Sequence, residues 1–289
     1  MLPPLAAETM FHIGSFPITN SYINSTIALV LFIILAYTIK RLTNKNYISE
    51  KAPKGFLNLF EVVIEQLLIL MDGVTKSRKK SLLLIPIIGT LFLFILVSNW
   101  LGLLPGTGSI GIYQMHHGSI ELIPLLRPAN TDLNMTVAMS VLAVAASHLF
   151  GIFAIGFFKY INKYIKFQDI YKAIKTLNPL KILIAFVEFF VGILETVAEA
   201  AKVLSLSLRL FGNIFAGEVL LTVIGGLMAY FAPLPFMALE ILVGAVQAVV
   251  FSMLALVYLT LALDEPHGAH NEEHALEHEQ PKKIEIQNS

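Results

Sequence analysis

The chain has 289 residues, of which 56% are hydrophobic and only 14% charged, against about 25% charged in soluble domains; this is the composition of a membrane protein. Its formal net charge is +0, so bulk electrostatics point to neither nucleic acid nor a strongly acidic partner. It contains no cysteine, which excludes disulfides, thiol catalysis, thiolate zinc sites and iron–sulfur clusters built from its own residues.

The opening segment, Met1 to Glu8, lacks the basic and apolar regions of a signal peptide, so insertion through internal hydrophobic segments is expected. The first of these runs from about Tyr22 to Ile39, close to the ~20 apolar residues a helix needs to cross hydrocarbon. Lys40, Arg41, Lys45, Lys51 and Lys54 follow it. From Gly55 to Val74 the pattern changes. Phe56, Phe60, Val63, Leu67 and Leu70 recur on one stripe, with Asn58, Glu61, Glu65 and Asp72 on another. That spacing predicts an amphipathic helix lying at the interface. After Lys76, Arg78, Lys79 and Lys80, a second span covers roughly Ser81 to Leu104 and closes on Trp100, Pro105 and Gly106, an aromatic anchor and a turn.

The loop from Gly106 to Asn134 holds one basic residue, Arg127. A third span runs from about Met135 to Phe158, followed by Lys159, Lys163, Lys166, Lys172, Lys175 and Lys181. The next apolar stretch, Ile182 to Phe231, would be about 70 Å long as one helix, against a hydrocarbon core near 30 Å. No turn residue interrupts its middle, so one long, steeply tilted helix is expected, hairpinned through Gly225, Gly226, Pro233 and Pro235 against a last stretch from Phe236 to Leu263. The lysine-rich segments all fall on one side. By the positive-inside rule the N-terminus lies outside, five crossings follow, and the C-terminus is cytoplasmic. The expected architecture is therefore all-α and polytopic: five crossings, one interfacial amphipathic helix and a long tilted C-terminal hairpin. Residues 1–264 form the membrane domain and 265–289 a soluble His- and Glu-rich tail. Histidines 267, 270, 274 and 278 repeat near helical spacing, but the interleaved glutamates and terminal position favour a solvated tail over a metal site.

Arg209 is the informative residue of the long stretch. Arginine does not shed its proton at accessible pH, and a charge at bilayer depth costs at least about 3 kcal/mol. Glu188, Glu195, Lys202 and Arg209 stand seven apart, within about 60° of one another on a helix. Ion pairing along the helix accounts for Glu199 and Lys202. It does not account for Arg209, which has no acidic residue within one turn. Asn213 lies one turn on, and Glu218 nine residues on; Glu240 and Gln247 follow on the final stretch, again seven apart. Folding the hairpin with Arg209 opposite Gln247 and Glu218 opposite Glu240 centres the turn at Met228 or Ala229. Titratable groups would then approach a permanent cation from both faces of the membrane. A proton cannot hop past that cation; it needs a carrier.

The run Ser205-Leu-Ser-Leu-Arg-Leu-Phe-Gly-Asn-Ile-Phe-Ala-Gly-Glu218 resembles the signature of subunit a of the F-type ATP synthases. Gln247-Ala-x-x-Phe251 with Val257-Tyr258-Leu259 is similar to the family's final helix, and Asn99-x-Leu-Gly-Leu-Leu-Pro-Gly106 and Asp132-x-Asn134-x-Thr136 look like further motifs of it. The resemblance spans roughly Asn20 to Asp264. It implies a proton-translocating stator in a bacterial plasma membrane, working beside a rotating ring of c subunits. The implied partners are that ring, the peripheral-stalk b subunits, the rest of the complex and lipid, with no nucleic acid, no cofactor and no metal. Arg209 would face the ring carboxylate and block a leak between two half-channels. Asn213, Glu218, Glu240 and Gln247 would serve the outer half-channel and Glu195 the inner, with Lys202 nearby; Asp132 is placed with the half-channel residues. Some relatives carry histidine where this chain has Glu240; with carboxylates at both positions the resemblance leaves the titration of the pair open, a shared proton being one outcome. No G-x-x-x-x-G-K-[ST] phosphate loop occurs, so a nucleotide site is not expected in this chain. The rival class is a self-contained transporter or channel, which would show internal repeats or paired broken helices; no such repeat is found in the sequence, and the half-channels would be useless without an external carrier.

Overall fold

The computed structural model describes residues 7–48, 55–104, 111–116, 119–124, 127–157, 160, 179–228 and 231–263. Among them, six helices carry the architecture: α1 (Asn20–Ile48), α2 (Phe56–Thr75), α3 (Arg78–Leu101), α4 (Leu133–Ile155), α5 (Pro179–Leu227) and α6 (Pro233–Leu263). Four have the length and composition to cross a bilayer: the Asn20–Asn44 part of α1, α3, α4 and α6. α5 is a fifth long helix, 49 residues without a break, or about 74 Å at 1.5 Å per residue. The absence of a breaker in its middle is what keeps it continuous. The apolar runs thus become helices where the sequence placed them, in an all-α, polytopic membrane protein. The His- and Glu-rich tail, the lysines between α4 and α5, and the Pro105–Gly106 turn lie outside the described residues.

Three local differences from the sequence reading have physical reasons. The loops add two short antiparallel hairpins. β1 (Thr9–Ile13) pairs with β2 (Phe16–Thr19), and β3 (Gly111–His116) with β4 (Ser119–Pro124). Gly225 and Gly226 remain inside α5, and the reversal falls after Leu227, with Pro233 opening α6 at the position where its fixed φ suits a helix start. On α2 the buried side is Leu57, Leu67, Leu68, Met71 and Thr75, with Val63 and Ile64 packed beside it, whereas Phe56 and Leu70 are exposed. That face is set by packing on α3 and α6. A two-residue link joins α2 to α3. Lys76 takes the left-handed conformation (φ 53°) and donates its N–H to the Asp72 carbonyl at 3.0 Å. Asp72 then pairs with Arg78 at 2.7 Å.

The core gathers around α6. Ala248, Phe251, Ala255, Leu256 and Leu259 are fully buried against Leu84, Ile88 and Ile95 of α3, Met71 of α2, Ala143 of α4 and Leu210 of α5. In lipid there is little hydrophobic drive between helices, so close packing and interhelical hydrogen bonds hold them together. Gly244, Ala248 and Ser252 supply small residues four apart on α6. At Gly244 the backbone of α6 lies against Asn99 of α3, whose Nδ2 donates to the Gly244 carbonyl at 3.0 Å. Large apolar side chains such as Ile33, Leu83, Leu142, Phe153 and Phe186 point outward, as expected for a lipid-facing surface.

Candidate functional site

α5 presents two faces around its arginine. Leu206, Leu210 and Ile214, four apart, are buried against the bundle. Arg209 and Asn213 are exposed on another side, together with Ser205, Gly212 and Ala216. Small side chains flank the guanidinium, so a neighbouring helix can approach it closely. Among the described residues no ion pair or hydrogen bond ends on Arg209.

Beyond Arg209 toward Leu227, polar groups converge between α5, α6 and the segment leading into α4. That segment is threaded into the bundle. Asn24 of α1 donates to the Arg127 carbonyl at 2.7 Å, and Thr131 Oγ1 donates to the Pro128 carbonyl at 2.7 Å. Asn130 Nδ2 donates to Asn99 Oδ1 at 2.7 Å. Pro128 packs on Gly102 so closely that a Cβ there would overlap its ring. Asp132 caps α4 by accepting from the Asn134 N–H at 2.9 Å, and accepts from Ser21 Oγ at 2.8 Å. The result fixes Arg127, only 2% exposed, with Nε 3.0 and 3.2 Å from the two carboxylate oxygens of Glu218 and Nη2 3.1 Å from one of them. Removing one partner of such a buried pair typically costs about 3–5 kcal/mol.

The Glu240 side chain lies against Gly217, the chain neighbour of Glu218. A Cβ on Gly217 would overlap its carboxyl group, so the glycine leaves the space in which that carboxyl sits. Glu240 is buried, and its Oε1 has no hydrogen-bond partner. Two turns along α6, Gln247 Oε1 accepts from Asn213 Nδ2 at 2.6 Å while its Nε2 is unpartnered. Buried polar atoms are nearly always paired. Glu240 Oε1 and Gln247 Nε2, two turns apart on α6, are exceptions to that rule.

On the other side of Arg209 a second cluster forms. Lys202 Nζ bonds Glu199 Oε1 at 2.6 Å and sits 5.2 Å from the Tyr258 ring centre. His148 Nε2 is 3.9 Å from Glu199 Oε2, and its Nδ1 lies 2.6 Å from the Tyr160 hydroxyl. Glu195 is half-buried on α5 and also has a partner.

The structure brings together Asn213 with Gln247, and Glu240 with the backbone beside Glu218. Gln247 meets Asn213 rather than Arg209, one helical turn further on, and Glu218 is held by Arg127 rather than by Glu240. Asp132 is occupied as a helix cap. Lys202 carries the ion pair expected for it. Sequence reasoning missed Arg127 and His148. Arg127 was visible as the sole basic residue of its loop, and His148 as an ionisable residue within an apolar span.

The family model described as ATP synthase A chain matches residues 22–260. The chain is similar to an ATP synthase subunit a from Mycobacterium ulcerans (strain Agy99), at 30% identity over 254 residues, 86% of this chain and 89% of the relative. It is likewise similar to those of Geotalea uraniireducens (strain Rf4), at 31% over 237 residues, 82% and 86% of the two chains, and Syntrophobacter fumaroxidans (strain DSM 10017 / MPOB), at 32% over 219 residues, 75% and 76%.

Proposed function

Because the chain belongs to the ATP synthase A chain family, we propose that it is the proton-translocating stator of a rotary ATP synthase, with Arg209 as the fixed cation between two offset half-channels. It is a non-catalytic membrane subunit of that enzyme. The observation that carries the reading is the placement of Arg209, exposed on α5 with no anion among the described residues paired with it. A charge left in that position needs an anion from outside, and a carboxylate on a ring of c subunits supplies one. At ~4 Å and an effective dielectric of ~20 the attraction is about 4 kcal/mol, enough to favour the ionised carboxylate roughly a thousandfold.

The proton path has two arms. The outer arm passes Glu218 and Glu240 and descends along Gln247 and Asn213 to the Arg209 face; the inner arm leaves past Glu195 and the Lys202 cluster. Glu195 lies fourteen residues before Arg209, or about 21 Å along the helix, and Glu218 nine residues after it, or about 13 Å. A proton therefore crosses only by riding the ring. Each crossing delivers roughly 2.3 kcal/mol per 100 mV, which becomes torque because the direct route is blocked. In this reading α5 is a tilted fifth crossing, α2 lies at the interface, the N-terminus is outside and the C-terminus cytoplasmic. The peripheral-stalk b subunits hold the stator against rotation.

Silver-ion accessibility tests the sidedness. In a cysteine-free complex, the thiol of Glu240→Cys is expected to react with silver added from the outer side, and that of Glu195→Cys with silver added from the cytoplasmic side, read as loss of titratable thiol. Reversed accessibility would overturn both the orientation and the assignment of the half-channels.

A further inference from the structure

We propose that His148 is a proton-exchange residue at the mouth of the inner half-channel: held by Tyr160 at one ring nitrogen, it takes protons at the other from the Glu199 side and gives them to cytoplasmic water. The proposal deepens the reading above and rests on it.

His148 is the only ionisable side chain in the apolar helix α4. Ionisable groups inside a span are rare and mostly functional. It stands seven residues before the end of α4, or about 10 Å along the axis, at the end of the bundle where α5 carries Glu199 and Lys202. The chain then comes back onto this helix. Gly156 closes α4 at φ 92°, a conformation that favours glycine, and accepts the Tyr160 N–H at 3.0 Å. The Tyr160 ring lies on Gly151, where a Cβ would overlap it. So seated, Tyr160 is only 6% exposed and puts its hydroxyl 2.6 Å from His148 Nδ1, with the two rings edge to face.

The second nitrogen faces another helix. His148 Nε2 lies 3.9 Å from Glu199 Oε2, within ion-pair reach but beyond a hydrogen bond. Glu199 Oε1 accepts from Lys202 Nζ at 2.6 Å, and Lys202 rests over Tyr258 of α6. The titratable groups that face the imidazole among the described residues are thus Tyr160, Glu199 and Lys202, with Tyr258 behind the last. A histidine used only for packing needs one such partner. Here one nitrogen is anchored, which fixes the tautomer, and the other is left at exchange distance from a carboxylate. The side chain is 32% exposed, so the ring is not sealed inside the bundle.

The step is a plain proton transfer. In the neutral ring the proton sits on Nδ1 and is donated to the Tyr160 oxygen. A proton leaving the ring of c subunits through the inner arm binds the Nε2 lone pair. Glu199 stays paired with Lys202 and faces the positive charge so formed. The imidazolium releases the Nε2 proton to cytoplasmic water, and the neutral ring returns.

The test uses the intact ATP synthase in inverted vesicles, whose cytoplasmic face is outward. Proton-driven ATP synthesis is the readout, and co-isolation of the c-ring checks assembly. His148→Ala is expected to lower synthesis by about tenfold, less than the ~10²–10⁴ of a sequestered proton-transfer group because water enters the gap. Imidazole added outside is expected to restore it several-fold, relative to the unmodified complex in the same imidazole. His148→Gln retains a polar side chain of similar size but exchanges no proton; it is expected to be as slow as His148→Ala. Tyr160→Phe keeps the ring on Gly151 and is expected to be impaired less than either. Normal synthesis by an assembled His148→Gln complex would overturn the proposal, and so would a His148→Ala deficit that imidazole leaves unchanged. If His148→Ala does not assemble, His148→Gln decides. Synthesis surviving in Arg209→Ala, measured alongside, would instead defeat the stator reading as a whole.

Discussion

Arg127 and Arg209 carry the same guanidinium, yet the bundle encloses the first against Glu218 and leaves the second exposed on α5. Their sequence contexts foretold the reverse emphasis. Arg209 drew attention because no acid lies within a turn of it, an absence that local spacing makes legible. Arg127 is joined to its partner across 91 residues, a distance no local pattern can bridge, so only its isolation in a loop otherwise free of positive charge hinted at a role. Glycines at this scale separate function from packing. At Gly217 an added Cβ would meet the flexible end of Glu240, whereas at Gly102 it would meet the rigid ring of Pro128. Gly217→Ala is expected to change stability by no more than about 1 kcal/mol, because the helix gains a similar amount from alanine. It should nonetheless displace the Glu240 carboxyl and lower proton-driven synthesis by about tenfold or more, since ~1 Å misplacements of reacting groups cost on that order. Normal synthesis by an assembled Gly217→Ala complex would show that Glu240 does not work from this position.

At the level of elements, helix existence and the packing of α5 on α6 were legible, and the individual side-chain partners across that pair were not. Apolar runs near 20 residues declare spans, and the want of a breaker between Ile182 and Phe231 declared α5 continuous. Register between α5 and α6 depends on where the chain reverses and how long the facing side chains are, and seven-residue spacings on both helices allow registers one turn apart. The structure selects Asn213 with Gln247. The hairpins β3 and β4 were obscured for a different reason: the stretch was read through its charge, although Ile120, Glu121 and Leu122 alternate as a strand would. The pairing has a direct check. Cysteines at positions 213 and 247, joined by a short bifunctional thiol reagent in the membrane, are expected to cross-link several-fold more than cysteines at 209 and 247. The opposite preference would return the hairpin to the register expected from sequence.

Over the whole molecule, the polar contacts that tie segments together gather at one end of the bundle, while much of α5 carries an open face. Asn20, Ser21, Asn24, Asn99, Asn130 and Asp132 link α1, α3, α4 and the turn before it, and α6 joins them through Asn99. Helix-to-helix hydrogen bonds in lipid are worth about 0.6 kcal/mol each on average, so the rigidity comes from their number and from the small residues that let α3 and α6 meet. Along α5, Leu194, Val197, Leu204 and Leu208 join Arg209 on exposed surface. A rigid polar end beside an open apolar helix suits a stator that must hold a proton path still while a ring slides past. The central claim is that the Arg209 charge both drives deprotonation of the passing carboxylate and seals the two half-channels from each other. Its most direct test is Arg209→Ala in the complete complex reconstituted in vesicles, with ATP synthesis and passive proton permeability measured on the same preparation. The account predicts loss of proton-driven synthesis together with a rise in passive proton leak through the membrane sector. Sustained synthesis with an unchanged leak would contradict it.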